Sequence, residues 1–220
     1  MVLTRYPILN TNNSLPPLIC AFFRLINKAG KLYCKLIAKY RAKKWLKDNC
    51  LILDTETTGL GNDAEIIEIS IIDCTGKVLL NTLVKPRNSI PAEATAIHGI
   101  TNEMVAAAPT WRDIHWQLMA LIHTQTLVIY NIDFDVRLIL QTAGINGCGF
   151  GFLELNAECA MRNYAEYYGQ WDEKRNKFKW QKLVNAAEQQ GVVIEGTPHR
   201  ALADCKTTLG IIRAMAGVKS

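Results

Sequence analysis

Asp54 and Glu56 sit two residues apart in "LDTETTGL", at the end of an apolar run that begins at Leu51. On an extended strand, side chains at that spacing project to the same face. Two like charges there repel and are poorly solvated, and a hard divalent cation with oxygen ligands is the usual remedy. An isolated D-x-E is most often a pair of solvated surface acids, so this pair gains meaning only from what else converges on it.

Two later stretches supply the candidates. In "YNIDFDVRLI", which follows an apolar strand and opens a helix, Asp133 and Asp135 lie about 200° apart around a helix, so only one can face a common site. "HRALADC" brings His199 and Asp204 to the start of another helix. Acids on separate elements beside a histidine are what two-metal phosphoryl hydrolysis calls for. Cations about 3.5 to 4 Å apart clamp the attacking and leaving oxygens, and a base takes the proton from water. A helix starting with Thr197 as cap and Pro198 as first residue would splay His199 and Asp204 by about 140°. The chemistry requires His199 on the loop ahead of the helix.

The elements that must position these groups are legible in the hydrophobic pattern. "CLILD", "EIIEISIID" and "KVLLNTLVKP" read as three strands, the last two joined by a tight turn at 73–76, which makes them antiparallel. "IPAEATAIHGIT" reads as a short helix and turn, followed by a helix from Trp111 to about His123, the strand "TLVIY" and a helix from about Asp133 to Ala143. Helices near Glu158 to Tyr168 and Trp180 to Gln190 precede a last one over "ALADCKTTLGIIRAMA". This order gives an α/β mixed sheet flanked by helices. "GINGCGFGF" follows a helix and lacks the lysine of a phosphate loop, so it reads as a connection.

The three motifs "LDTETTGL", "NIDFD" and "HRALADC", with "IPAEATAIHGIT" between the first two, resemble the DnaQ-like 3′-to-5′ exonucleases of the DEDDh type over roughly residues 50 to 216. That resemblance implies a ribonuclease H-like, mixed five-stranded sheet flanked by helices. It implies that Asp54, Glu56, Asp135 and Asp204 hold two Mg2+ ions, with Mn2+ as a substitute, and that His199 is the general base. Asp133 is then the outward carboxylate. It further implies that Thr57 and Leu60 contact the terminal nucleotide, that His98 and Phe134 line its pocket, and that Asn131 positions the second motif. A turn histidine capping a backbone group is an equal reading of His98; His115 and His123, on a helix, read as structural or surface residues. The expected reaction is phosphodiester hydrolysis at the 3′ end of single-stranded nucleic acid, DNA favoured, releasing nucleoside 5′-monophosphates.

The net charge of +5 over 220 residues is unevenly divided. Residues 1–50 carry ten Lys or Arg and one acid, Asp48, a balance of +9, whereas the remainder has 15 basic and 19 acidic residues, or −4. We divide the chain into an N-terminal basic helical extension, 1–49, and an exonuclease domain, 50–220. From Ile19, apolar residues recur at Phe22, Ile26, Ala29, Tyr33, Ile37 and Tyr40 with lysines between them, the pattern of a basic amphipathic helix weakened at Gly30. It reads equally as a helix packed on the neighbouring domain or as an arm for nucleic acid, a partner or a membrane surface. Tyr164, Tyr167, Tyr168, Trp171, Phe178 and Trp180, interleaved with lysines, read as core and surface before a single-strand stacking surface.

The first 23 residues are broken by Asn, Ser and prolines, so we expect neither a cleaved signal nor a membrane span. Seven cysteines without C-x-x-C or zinc-type spacing read as free thiols in a reducing cytoplasm. Competing readings are a non-catalytic nucleic-acid or assembly module on the same fold and a polymerase-associated proofreading subunit, with a polymerase or other replication or repair protein as partner. The full acid set speaks against the first. The short run after the third motif favours a stand-alone, plasmid- or phage-type enzyme over the second.

Overall fold

The computed structural model describes residues 27–149 and 155–218. Expectations for residues 1–26, including the start of the first helix and the absence of a signal or span, lie outside these, as does part of "GINGCGFGF".

Five strands form one sheet in the order β3-β2-β1-β4-β5: β1 (Leu51–Thr57), β2 (Ile66–Asp73), β3 (Val78–Leu83), β4 (Leu127–Ile129) and β5 (Ala157–Cys159). β2 runs antiparallel to both β1 and β3, while β4 and β5 run parallel to β1. The mixed sheet is as expected. β5 is three residues long, too short to register as a hydrophobic period, and it occupies the beginning of the stretch read as helix near Glu158.

Helices cover both faces, because the two central strands are apolar on both sides. One face of β1, Leu51 and Leu53, packs with Ile69 and Ile71 of β2 under α4 (Trp111–Ile122) and α5 (Ile132–Ile145). The other, with Ile52 and Ile72, is covered by α1 (Asn27–Lys47), α6 (Ala160–Tyr168), α7 (Leu183–Gln190) and α8 (Ala201–Ala216). Two short helices, α2 (Ala92–His98) and α3 (Asn102–Val105), close the β3 side. α7 begins at Leu183 rather than Trp180, because the preceding stretch closes a small hairpin, β6 (Trp171–Asp172) with β7 (Lys177–Phe178).

The stripe assigned to α1 is corrected. Its buried face is Gly30, Cys34, Ala38, Ala42 and Trp45, while Tyr33 and Tyr40 are exposed. These small residues let the helix lie close on α6 and α8, and the helix runs unbroken through Gly30. Leu32, Leu36 and Tyr40 face outward, so both sides carry apolar residues and the helix is not amphipathic in the expected sense. The Asn163 side chain donates to the Ala38 carbonyl at 3.0 Å, and Arg41 pairs with Glu166 at 2.8 Å. The aromatic set divides: Tyr164 and Phe178 are buried, Trp171 meets Phe178 edge-on, and Tyr168 and Trp180 remain exposed. No helix among the described residues is long and apolar enough to cross a membrane. Among them, six cysteines are free thiols.

Candidate active site

β1 outruns its parallel neighbour. β4 pairs with Leu51, Ile52 and Leu53 and then stops, so the last four residues of β1 continue past its end. Asp54 and Glu56 belong to that overhang. They share a face with Ile52, and their antiparallel partners Ser70 and Glu68 on β2 point the same way. α8 covers this face, where Cys205 Sγ approaches the Ile52 and Ser70 carbonyls. The strand thus changes from apolar to acidic where the helix that covers it begins.

The gap beyond β4 is filled by the first turn of α5. Asp135 there is 3% exposed and accepts a hydrogen bond from Thr55 Oγ1 at 2.8 Å. Asp133, on the opposite side of the turn, is exposed and paired with Arg162. Of the two, Asp135 is therefore the one turned inward. The α5 N-terminus also favours a carboxylate, since its first N–H groups lack helical partners.

The third stretch approaches from the other face. α8 starts at Ala201 with Arg200 as its N-cap, so neither Thr197 nor Pro198 begins the helix. His199 is on the loop in the left-handed region, φ +59. Outside the helical spiral, it is not splayed from Asp204. Ligand atoms of Glu56, His199 and Asp204 lie within 4.8 Å of one another.

The electrostatics follow from crowding acids into one enclosed space. Burial, then the charges of Asp135, Asp204 and Glu56, holds Asp54 well above the usual carboxylate range. Burial pushes Glu56 up to about 8, reinforced by Asp204 and Glu68 and opposed by Arg200. It pushes Asp135 to about 7 against the Thr55 hydrogen bond, and Asp204 to about 6 against His199. Four acids that resist ionising beside one another, with only oxygens and one imidazole offered, suit hard divalent cations.

Sequence reasoning missed Glu68 and Arg200. Glu68 is 4% exposed in β2, and its carboxylate receives Arg200 Nε at 3.1 Å, an Arg200 terminal nitrogen at 2.6 Å and the Ala201 N–H at 2.9 Å. The available signal was an acid in the middle of the otherwise apolar "EIIEISIID", because a buried carboxylate needs a partner.

The expected nucleotide-contacting residues are placed unevenly. Thr57 is buried, and its hydroxyl donates to the Gly59 carbonyl at 2.8 Å, shaping the turn that leaves Leu60 79% exposed. Arg137 reaches the Leu60 and Gly61 carbonyls and lies over the Phe134 ring, its guanidinium carbon 5.5 Å from the centroid. Asn131 is exposed and makes no side-chain cap; its carbonyl accepts the Phe134 and Asp135 N–H groups, so its backbone organises the turn. His98 is buried, and Nδ1 accepts the Ile100 N–H at 3.0 Å, which places the ring proton on Nε2. It therefore does cap a backbone group, yet no atom meets buried Nε2 with hydrogen-bond geometry. His115 is buried with Nε2 3.1 Å from the Gly149 carbonyl, and His123 ends α4 at the surface.

A five-stranded mixed sheet with carboxylates gathered at the end of its central strand is a frame suited to a nuclease. The exonuclease family model matches residues 51–212, and the chain belongs to that family. It is 58% identical over 180 residues to the uncharacterized exonuclease CP81 of Escherichia phage 186, covering 80% of this chain and 92% of that protein. Exonuclease X, solved in complex with 5′-overhanging duplex DNA, superposes with a TM-score of 0.55 at 27% identity, over 77% of this chain and 93% of that one. The nuclease domain of 3′hExo, a DEDDh family member bound to rAMP, shares the fold with a TM-score of 0.57 at 19% identity, over 76% and 90% of the two chains.

Proposed function

We propose that the protein removes nucleotides one at a time from the 3′ end of single-stranded nucleic acid, DNA favoured, releasing nucleoside 5′-monophosphates. The observation that carries this reading is the meeting of Glu56, His199 and Asp204 within 4.8 Å, beside the mutually perturbed Asp54 and Asp135. Asp54, Glu56, Asp135 and Asp204 would hold two divalent cations, Mg2+ by preference and Mn2+ as a substitute. Such ions, when bound, offset charge on the scissile phosphate and on the attacking and leaving oxygens.

The remaining steps belong to the chain itself. His199, exposed on its loop, accepts the proton of the attacking water. His98, set against the Thr57 backbone, lines the pocket of the terminal nucleotide, Leu60 is a wedge beside that nucleotide, and Phe134 and the Thr57 turn form the wall that orients it. Residues 50–220 form the catalytic unit of a cytoplasmic enzyme, and 1–49 an appendage whose basic charge favours polyanionic partners.

Digestion of 5′-labelled DNA and RNA oligonucleotides with Mg2+, with chelator and with Asp54→Ala tests this. The expected result is a ladder shortening from the 3′ end in the first condition alone. Binding without cleavage in all three would favour a non-catalytic module.

A further inference from the structure

Glu56 and Glu68 are direct antiparallel partners on β1 and β2, and their side chains share one face. Like charges in that relation oppose sheet pairing. The conflict is resolved by committing Glu68 elsewhere: both its oxygens are engaged by Arg200, and one also receives the Ala201 N–H. Glu68 is thereby occupied, and Glu56 keeps its carboxylate for the cluster.

The same bonds fix the backbone on the C-terminal side of His199. His199 has φ +59, a conformation that a non-glycine residue keeps only when its surroundings impose it. The next residue is held through its guanidinium, the one after that through its amide, and the Asp204 N–H donates to the Arg200 carbonyl at 3.0 Å. The loop is thus fastened to β2, whose ladder to β1 sets where Glu56 stands.

We propose that Glu68 and Arg200 are positioning residues that hold the His199 imidazole in register with Glu56 and Asp204. They act through His199 rather than on substrate or metal. The proposal rests on the reading of His199 as proton acceptor. A planar guanidinium spanning both carboxylate oxygens fixes direction as well as distance, which a lysine ammonium cannot reproduce.

The test uses the full-length protein with saturating Mg2+ on a labelled single-stranded oligonucleotide. Glu68→Gln and Arg200→Lys should each lower kcat by about 10- to 100-fold with KM little changed, since a misplaced base costs turnover rather than binding. In a His199→Ala background, Glu68→Gln should lower kcat no further. Amide exchange at His199, Arg200 and Ala201 should quicken in both single variants. A rise in KM with kcat retained, an equal loss of kcat in both backgrounds, or unchanged exchange would overturn the proposal. Should Glu68→Gln fail to fold, Arg200→Lys, at a partly exposed side chain that keeps its charge, still decides the matter. If the wild type degrades no 3′ end, the exonuclease reading fails, while the exchange comparison still reports on the clamp.

Discussion

Thr55 Oγ1 donates to the Asp135 carboxylate at 2.8 Å, joining α5 to β1 midway between the two acids of the first motif. Thr55 points to the face opposite Asp54 and Glu56, the face that α5 covers, so this bond ties the first turn of α5 to the part of β1 that runs past the end of β4. It joins backbone N–H groups of Asp135 and Thr55 in anchoring a buried carboxylate. Thr55→Val keeps shape and β-branching and removes the hydroxyl. The expected cost is about 1–3 kcal/mol in denaturant unfolding, with weaker Mg2+ binding by calorimetry. Unchanged stability and affinity would show that the bond anchors nothing.

The raised acids make a signed prediction about pH. In the unfolded chain carboxyls titrate near 4, whereas in the folded protein Asp204, Asp135 and Glu56 sit at about 6, 7 and 8. Between those limits the folded state holds more protons, so the stability of the metal-free protein falls as pH rises through the window. Mg2+ binds the deprotonated carboxylates and reverses the trend. Melting in chelator should therefore drop from about pH 5 to about pH 8.5, and the rise on adding Mg2+ should be larger at the upper end. Glu56→Gln should shrink both effects. A chelator curve that is flat or rises with pH contradicts mutual burial of the acids.

His199 carries a backbone demand and a chemical one, and substitutions can separate them. Asn and Gly tolerate the left-handed region and Ala does not, so His199→Asn and His199→Gly should be more stable than His199→Ala by roughly 1 kcal/mol. All three should lose turnover by about 10²- to 10⁴-fold, the usual contribution of a positioned base. Stability by melting and turnover by labelled digestion read the two demands independently. Near-normal turnover in His199→Asn would remove the imidazole from the chemistry.

What the sequence disclosed and what it concealed have distinct physical origins. The long strands and α8 were legible because a continuous period of apolar residues marks them, and the acids were legible because charge at the end of such a run is unexpected. β5 and the β6–β7 hairpin are two or three residues long, shorter than any period. Glu68 was read as one more strand residue because its partner lies 132 positions away. The α1 register was misread because small residues, Ala38 and Ala42, make the contact, while the larger Leu32 and Leu36 face solvent. Hydrophobicity scales weight size, and close helix packing rewards its absence.

That last point can be tested directly. Ala38 and Ala42 are fully buried where α1 lies against α6 and α8, and the Ala38 carbonyl is tied to Asn163. Enlarging a side chain in such a contact forces the helices apart or drives neighbours off their rotamers, at a typical cost of about 1–3 kcal/mol. Ala42→Leu should lower the melting temperature accordingly, whereas Leu36→Ala, on the outward face at 55% exposure, should change stability by less than about 0.5 kcal/mol. If α1 were instead a solvated arm with Ala29, Tyr33 and Tyr40 as its docking stripe, Ala42→Leu would be silent. The ordering of those two variants in a thermal melt therefore decides whether the basic appendage is integral to the folded unit or merely attached to it.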